Sequence, residues 1–435
     1  MNSSISDDNV PGQSSEPEIN GSVHRRTTCR LCHSADLELV LALTPTPPVD
    51  AFVKQDRFAE EQPSYPLDLF LCHECGHAQL LDVVSPEILF GSYIYETASS
   101  PGLVEHFRDY AADVIQMVTP PASSLAVDIG SNDGTLLRFF KEQCLRVVGI
   151  DPAAEIGRRA TASGIETKTA FFTPAVAAEV RRDHGPATIV TANNVFAHSD
   201  DLGAMADGVR TLLADDGVFV FEVSYVLDMI NGMIFDLIYH EHLSYHSVKP
   251  LDRFLRRHGL ELIDVTVNAS KGGSLRCFAQ RIGGQRSIAP VVASMIEHED
   301  SIGLERPEIY RTWAARVEAA SVSVSRLVSD LRSQGKTIAG YGASATATVL
   351  IYRFGLGGAL EFLMDDIAER QGRFSPGHHL PVLAGDALYD RKPDYVIVLA
   401  WRFADMIIGR HSRYLDQGGQ FIVPLPNLRA VARRG

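Results

Sequence analysis

The chain has 435 residues, too many for one hydrophobic core, and domains of roughly 100–200 residues imply about two to four of them. Its composition, 45% hydrophobic and 22% charged, is typical of a folded globular protein. With 54 acidic and 40 basic residues, the formal net charge of −14 disfavours nucleic acid as a partner. The longest apolar runs fall short of the roughly 20 residues of a membrane-spanning helix, so no membrane partner is expected.

The N-terminal stretch, residues 1–28, is polar and acidic and begins MNSSISDDNVPG. It has neither the basic start nor the apolar core of a secretion signal. We predict a disordered tail there, on a cytoplasmic protein that is a monomer or a homodimer.

Two Cys-x-x-Cys pairs follow the tail, Cys29 with Cys32 and Cys72 with Cys75. Two such pairs together supply the four thiolates of a tetrahedral zinc shell. A closed shell has no open position, so we predict a structural zinc within a zinc-binding domain at 29–95. A redox role for one pair is the alternative. The histidines near enough to replace a thiolate are His33, His73 and His77.

Apolar strands alternate with helical stretches from 96 to 305, and one helix is predicted to begin at Thr135. This alternation predicts a parallel, doubly wound α/β sheet with its ligand crevice at the carboxyl ends of the strands. A helix-rich stretch then leads into a smaller repeat of the pattern. The segment at 306–435 is predicted to be a second Rossmann-like α/β domain of about four or five strands. Cys144 and Cys277 lie in strand-like runs and are predicted to be buried.

A glycine turn after the first strand of the larger sheet has the features of an S-adenosylmethionine site. Gly130 lets the backbone approach a ligand, and Asp151 ends the next strand, where it can bind ribose hydroxyls. A dinucleotide-binding site, or a turn that binds no ligand, would also fit this spacing. The strand-end Asp128, the missing G-x-G-x-x-G and the polar end of the fourth strand favour S-adenosylmethionine. The predicted cofactor-binding residues are Asp128, Gly130, Ser131, Asn132, Asp133, Asp151, Pro152, Asn193 and Asn194.

The segment at 235–246, FDLIYHEHLSYH, packs two tyrosines, two acids and three histidines into 12 residues. Burying so many titratable groups is costly, so the segment is the predicted active site. A metal pair at His240 and His242, or a solvated helix face, are the alternatives. A carbon atom accepts a methyl group only after a proton next to a ketone is removed, which needs a general base and donors for the enolate oxygen. Histidine beside a carboxylate suits the first task and tyrosine the second.

With these motifs the chain resembles the sugar C-methyltransferases of deoxysugar pathways, which methylate C3, and sometimes C5, of dTDP-linked 4-keto sugars. The resemblance spans nearly the whole chain after the tail. The matching motifs are the paired Cys-x-x-Cys turns, DIGSNDGTLL, GIDPA, NNVFAH, FDLIYHEHLSYHS, GGSLR, GYGASA and QGRFSPGHHLPV. The resemblance implies an N-terminal zinc domain, a middle domain for S-adenosylmethionine and a C-terminal domain that holds the nucleotide sugar.

The resemblance also implies roles for single residues. His242, oriented by Glu241, is the implied base that removes the proton next to the ketone. Tyr239 would steady the enolate or position the sugar. Tyr93 and His198 match a tyrosine and a histidine that the family places in its active site.

Three positions depart from the family pattern. Lys271 stands where many members have histidine, Thr346 where lysine is common, and Arg402 where asparagine is usual. The last two fall in the region implied to bind the nucleotide sugar, so an enolisable carbonyl compound other than a sugar is an alternative acceptor. A non-catalytic, zinc-scaffolded nucleotide sensor and an NAD-dependent enzyme are further alternatives, which the intact active-site motif and the missing G-x-G-x-x-G disfavour.

Overall fold

The computed structural model describes residues 18–19, 22–90 and 96–433. Tyr93 and most of the predicted tail lie outside the described residues. The described chain contains four sheets, of three, four, seven and six strands. No helix within it is long and apolar enough to span a membrane.

The N-terminal region holds two small antiparallel sheets. Strands β3, β4 and β5 form the core of the larger one, and most of their apolar side chains are buried, with Leu39 on β3 an exposed exception. The elements of this region are β1 (Glu18–Ile19), β2 (Val23–Arg25), β3 (Leu37–Thr46), a 3-10 helix (Gln55–Arg57), β4 (Tyr65–Cys72), β5 (Ala78–Leu80), β6 (Asp82–Val84) and α1 (Pro86–Phe90).

The central region is the predicted α/β sheet. Its elements are a 3-10 helix (Thr97–Ser99), α2 (Pro101–Val118), β7 (Leu125–Ile129), α3 (Thr135–Glu142), β8 (Arg146–Asp151), α4 (Ala154–Ala162), β9 (Thr167–Thr169), α5 (Pro174–His184), β10 (Ala187–Asn193), α6 (Leu202–Leu212), β11 (Leu213–Ser224), α7 (Val226–Gly232), a 3-10 helix (Phe235–Leu237), β12 (Ser244–Tyr245), α8 (Val248–Arg257), β13 (Leu260–Asn268), a 3-10 helix (Ser270–Gly272), β14 (Ser274–Arg281) and α9 (Pro290–Ile302).

The strand order β13-β14-β11-β10-β7-β8-β9 explains where a ligand can bind. Strands β7 to β11 are parallel, and β14 runs antiparallel to its neighbours. All of β7 is buried, as expected for a strand covered by helices on both faces. The chain crosses to opposite sides of β7, so the crevice opens at the carboxyl ends of β7 and β10.

The C-terminal region is a second sheet in the order β17-β16-β15-β18-β19-β20, parallel except for β20. It has six strands rather than the predicted four or five, because the two edge strands, β17 with two residues and β20 with three, are too short to leave a clear sequence pattern. The elements are α10 (Pro307–Ser333), β15 (Ile338–Tyr341), α11 (Ala345–Arg353), β16 (Leu363–Met364), β17 (Val382–Leu383), α12 (Ala387–Arg391), β18 (Tyr395–Val398), a 3-10 helix (Trp401–Phe403), α13 (Ala404–Arg410), α14 (Ser412–Asp416), β19 (Gln420–Val423) and β20 (Arg429–Val431).

The three regions contact one another around the predicted active-site segment. Strand β12 belongs to the central region by sequence but pairs with β5, so it completes the N-terminal sheet. On the C-terminal side, the Thr348 hydroxyl donates to the Val49 carbonyl at 3.0 Å. Val53 and Phe374 exchange backbone hydrogen bonds. Segment 235–246 therefore lies where all three regions meet.

One predicted burial is wrong. Cys277 is buried in β14, but Cys144 is exposed. It follows α3 in a turn with φ of 62°, where the chain leaves the helix, and does not belong to the next strand.

Candidate active site

The four cysteine sulfurs form a compact cluster that fits zinc. They all lie within 4.8 Å of one another, with 3.6 Å between Cys29 and Cys75 and 3.4 Å between Cys32 and Cys72. A tetrahedral shell with Zn–S bonds of about 2.3 Å requires S···S edges of about 3.8 Å. The donor set and its spacing therefore suit a closed zinc site made of four cysteine thiolates.

Two of the three nearby histidines, His73 and His77, have other partners. The His77 ring nitrogen Nε2 lies 3.1 Å from the Ser244 hydroxyl, and His73 pairs with Glu38 at 3.0 Å. Within the described residues, the cysteines are also the one group of potential metal ligands that converges. The alternative metal pair of His240 and His242 finds no support, since the His240 ring donates to the Tyr65 carbonyl at 3.2 Å.

A cavity of about 630 Å³ opens at the carboxyl edge of the central sheet. This volume lies within the range of roughly 300–1,000 Å³ that is usual for small-molecule sites. It brings together most of the residues predicted from the sequence. Those that line it are Asp128, Gly130, Ser131, Asn132, Asp151, Pro152, Asn193, Asn194, His198, Tyr239, Glu241 and His242. Tyr93 lies outside the described residues, so its predicted place in the active site stays a prediction.

Asp151 is held rigidly at one end of the cavity. The backbone amides of Asn132 and Ala153 each donate to one of its carboxylate oxygens, both at 2.8 Å. Each carboxylate oxygen can accept a further hydrogen bond, which suits a pair of ribose hydroxyls. The turn beside it needs glycine: Gly130 has φ of 72°, and a Cβ there would lie 2.3 Å from Cγ2 of Val195.

Asp133 does not line the cavity. One of its carboxylate oxygens accepts hydrogen bonds from the Thr135 amide at 3.0 Å and hydroxyl at 2.6 Å. The other accepts from the Ala98 amide at 2.8 Å. Its neighbour Asn132 likewise accepts from the Thr97 amide at 2.9 Å. Asp133 therefore starts helix α3 and fixes the segment 97–99 against the turn, rather than offering its carboxylate to the cavity.

Asp128 is buried beneath the same turn. Its carboxylate accepts from the Thr191 hydroxyl at 2.6 Å, and burial raises its pKa to about 7. The strand-end acid predicted from the sequence is thus a group near its titration point at neutral pH.

At the other end of the cavity, three aromatic rings pack against one another. The centroids of Tyr239 and His242 are 4.0 Å apart, and those of His198 and His242 are 5.1 Å apart. The His242 Nδ1–H donates to the Leu237 carbonyl at 2.8 Å, which leaves the lone pair on Nε2. Burial lowers the pKa of His242 well below its usual value, so the ring is neutral at pH 7 and able to accept a proton.

The ring of His242 is oriented by the Leu237 backbone carbonyl and not, as the resemblance implied, by Glu241. Glu241 is buried at the cavity wall beside Asp50 and Lys271. Burial raises the pKa of Glu241, and the negative charge of Asp50 raises it further, while Lys271 opposes the shift. Glu241 is therefore a carboxyl group inclined to hold a proton, which is different from a carboxylate that orients a histidine.

The second sheet contributes a wall that the site prediction did not name. Gly342 follows β15 with φ of 105°, and a Cβ there would lie 2.8 Å from the Ala400 nitrogen, so β15 and β18 are closely apposed at this point. Helix α11 begins here, with Ser344 at its N-cap and in the cavity lining. Arg370 and Arg402 line the same wall. The clue in the sequence was GYGASA, a glycine-rich strand-to-helix turn.

A buried carboxylate joins this wall to the active-site segment. Asp236 is fully buried and accepts from the Trp401 indole N–H at 2.9 Å and from Arg402 at 3.1 Å. Asp236 directly precedes Leu237, whose carbonyl orients His242. The position of the histidine ring therefore depends on contacts with the C-terminal region.

Three family models match successive parts of the chain. They are described as "Putative zinc binding domain" for residues 29–90, "Methyltransferase domain" for 103–265 and "C-methyltransferase C-terminal domain" for 269–426. The C-methyltransferase NovU of Streptomyces niveus is 34% identical over 405 residues, which is 93% of this chain and 96% of NovU. The chain belongs to the zinc-containing C-methyltransferase family. The resemblance found in the sequence is thereby confirmed, and S-adenosylmethionine is the methyl donor of this C-methyltransferase, with zinc as its structural metal.

Solved structures resemble the C-methyltransferase only in part. Magnesium protoporphyrin IX methyltransferase from Synechocystis PCC 6803, with bound SAH, is 16% identical and covers 41% of this chain and 84% of its own, with a TM-score of 0.33. The CcbJ methyltransferase from Streptomyces caelestis is 13% identical and covers 44% of this chain and 94% of its own, also with a TM-score of 0.33. At these scores the likeness says nothing about the acceptor of the C-methyltransferase.

Proposed function

We propose that this C-methyltransferase transfers a methyl group to the carbon next to the ketone, C3, of a nucleotide-linked 4-keto deoxysugar, with dTDP as the nucleotide. The observation that supports this most directly is His242. It is a neutral, buried imidazole with its lone pair on Nε2, and it lies in the same cavity as Asp151 and the second sheet. Such a base is needed to make a carbon nucleophile, because a carbon next to a ketone must lose a proton before it can attack a methyl group.

The proposed reaction has two steps. His242 Nε2 removes the proton from the carbon next to the ketone, and the electron pair moves onto the ketone oxygen, where the Tyr239 hydroxyl donates a hydrogen bond. The pair would then return through carbon, which would form its bond to the methyl group in line as the sulfur–methyl bond breaks. When bound, S-adenosylmethionine would supply that methyl group as an electrophilic sulfonium and leave as the neutral thioether. Asp151 holds the ribose of the donor, so the two reactants meet between the ends of one cavity, and their proximity supplies much of the rate.

The nucleotide end of the acceptor is proposed to lie against the second sheet. The N-terminus of helix α11 presents unpaired amides and a partial positive charge at the cavity, which suits phosphate oxygens. Arg370 and Arg402 add positive charge on a chain whose net charge is −14. In this proposal the regions 29–95, 96–305 and 306–435 act as the zinc, methyl-donor and nucleotide-sugar domains.

A second candidate acceptor is an enolisable carbonyl compound that is not a sugar nucleotide. It is favoured by the pairing of Arg402 with the buried Asp236, because that carboxylate already offsets part of the charge a diphosphate would use. The two acceptors differ in their need for a diphosphate. Competition by dTDP against the acceptor is expected for the sugar nucleotide and not for the alternative.

The decisive experiment is incubation of the purified protein with S-adenosylmethionine and dTDP-4-keto-6-deoxyglucose or its 2-deoxy relative, followed by mass spectrometry. A gain of one methylene mass is expected, with the new methyl group on C3. His242→Asn should abolish the gain while its affinity for S-adenosylmethionine, measured by calorimetry, stays unchanged. An equal loss of donor affinity in His242→Asn contradicts the assignment of the base.

His240→Asn is the matched control. The His240 ring is buried two residues away, contacts the Tyr65 carbonyl and does not line the cavity. Its replacement should leave turnover close to wild type. If neither sugar gains mass but one takes up deuterium from solvent at C3, the base is intact and the natural acceptor is a different ketone.

A further inference from the structure

Lys271 occupies an unusual backbone position at the edge of the cavity. It lies in the turn between β13 and β14 with φ of 52°, in the left-handed region that lysine rarely adopts. Backbone strain of this kind persists where the surrounding structure imposes it, and it is often found at functional sites.

The surroundings of the turn explain how the strain is maintained. A Cβ on Gly272 would lie 2.5 Å from Cδ1 of Ile234, and one on Gly273 would lie 2.4 Å from Cβ of Asp228. The turn is thus pressed against α7 and the chain that follows it. Arg402, from the C-terminal region, is 3.4 Å from the same Gly272 position. Lys271 is therefore held in place from both sides.

The side chain of Lys271 lines the cavity with His198, Tyr239, Glu241 and His242. The residue is exposed to solvent, although protein atoms also lie around its ammonium group. The described residues give its ammonium group no salt bridge or hydrogen bond. Glu222, one of the acids that attract it, already accepts from Arg276 at 2.7 Å. A cation in contact with the reaction cavity is thus left available for a ligand.

We propose that Lys271 is a further catalytic residue, whose ammonium group binds the ketone oxygen of the acceptor and stabilises the enolate. This proposal rests on the function proposed above. When His242 removes the proton, negative charge moves onto the ketone oxygen, and a fixed cation there lowers the barrier because it need not reorganise. The ammonium keeps all its protons throughout. Once carbon has attacked the methyl group, the neutral ketone is restored beside it.

The positive charge of Lys271 also helps to keep His198 and His242 neutral. Lys271 contributes to lowering the pKa of both His198 and His242, after the larger effect of burial. Burial in turn lowers the pKa of Lys271 to about 8, and Glu241 opposes this shift. The ammonium form therefore prevails at pH 7 and is lost as the pH rises through about 8. The charged or titratable groups around it are Glu222 on β11, Asp228 on α7, His198 after β10, Tyr239, Glu241 and His242 before β12, and Arg402 after β18.

The test isolates enolate formation from methyl transfer. Wild type, Lys271→Met and Lys271→Arg are each incubated with dTDP-4-keto-6-deoxyglucose in deuterated water without S-adenosylmethionine, and uptake of deuterium next to the ketone is followed by NMR. Lys271→Met should slow exchange about a hundredfold, as for removal of an oxyanion donor, while Lys271→Arg retains most of it. The wild-type rate should fall above about pH 8 as the ammonium is lost. Lys271→Arg, whose charge persists, should show no such fall.

The controls separate this proposal from the one on which it rests. Affinity for S-adenosylmethionine and the melting temperature should be the same in all three proteins. Exchange in Lys271→Met within about threefold of wild type overturns the role of Lys271 and leaves the proposed function standing. Trapping of an acceptor adduct on Lys271 by borohydride also overturns this role and leaves the proposed function standing. Such an adduct shows that the lysine forms an imine with the ketone and not an ion pair with its oxygen. Wild-type protein that exchanges no hydrogen refutes both proposals.

Discussion

Arg30 links the zinc site to the reaction cavity, and its replacement is the most informative test of how the regions cooperate. It lies between the zinc-binding residues Cys29 and Cys32, and its side chain has no exposed surface. Its Nε donates to Asp200 at 3.0 Å, and Nη1 donates to the Leu243 carbonyl at 3.2 Å. Nη1 also donates to the Gln79 side chain at 3.3 Å and to the Leu80 carbonyl.

These contacts allow the cost of Arg30→Met to be worked out. Methionine fills similar space but leaves the carboxylate and the carbonyls without this donor. Breaking a buried charged contact costs about 3–5 kcal/mol. The lower end applies, since Asp200 keeps Arg26 and His24, both at 3.1 Å, and the Leu243 carbonyl keeps the Leu80 amide at 3.0 Å. We expect a loss of about 3 kcal/mol, or roughly a hundredfold in an opening equilibrium.

Hydrogen exchange followed by mass spectrometry measures this loss where it occurs, which matters because a chain of several domains need not unfold in one step. Exchange in a peptide covering 239–246 should rise about a hundredfold in Arg30→Met. Arg26→Met is the matched control: Arg26 binds the same Asp200 but is 15% exposed and does not reach Leu243. It should cost about 1 kcal/mol or less. Equal protection of this peptide in Arg30→Met and wild type would refute the link between zinc site and cavity.

Three further predictions follow from single features. Removal of zinc by a strong chelator should lower the melting temperature, and loss of activity with an unchanged melting transition would point to a catalytic metal instead. Because burial lowers the pKa of His242 well below about 6.5, α-hydrogen exchange should stay flat as pH falls from 7 to 6, and a half-point at or above 6.5 contradicts this. Gly130→Ala should weaken S-adenosylmethionine binding at least about tenfold by calorimetry, since its Cβ meets Val195, whereas Gly102→Ala, with open space around it, should not.

The parts of the fold that the sequence predicts well are those with continuous local patterns. Strands β7, β8, β10 and β11 are apolar runs long enough to identify, and α3 begins at Thr135 as expected. The parts that it misses are set by tertiary contacts. Strand β12 has two residues and exists because β5 offers an edge to pair with. Cys144 was assigned to a strand although the chain turns there, because apolar neighbours alone do not mark the residue at which a helix ends.

The residues of the candidate site likewise fall into those that the sequence predicts and those that it misses. The chemistry-bearing side chains of the segment 235–246 are recognisable by residue type, and three of the seven, Tyr239, Glu241 and His242, line one cavity. What orients His242 is a main-chain carbonyl, and a carbonyl leaves no trace in the sequence, so Glu241 was the natural but mistaken choice. Lys271 and Asp50 reach the cavity from the β13–β14 turn and the N-terminal region, far from the motif in sequence. Because burial raises the pKa of Glu241 most, and the charges of Asp50 and Lys271 then shift it in opposite directions, the acid–base state of the site depends on the assembled regions and could not be read from its central motif.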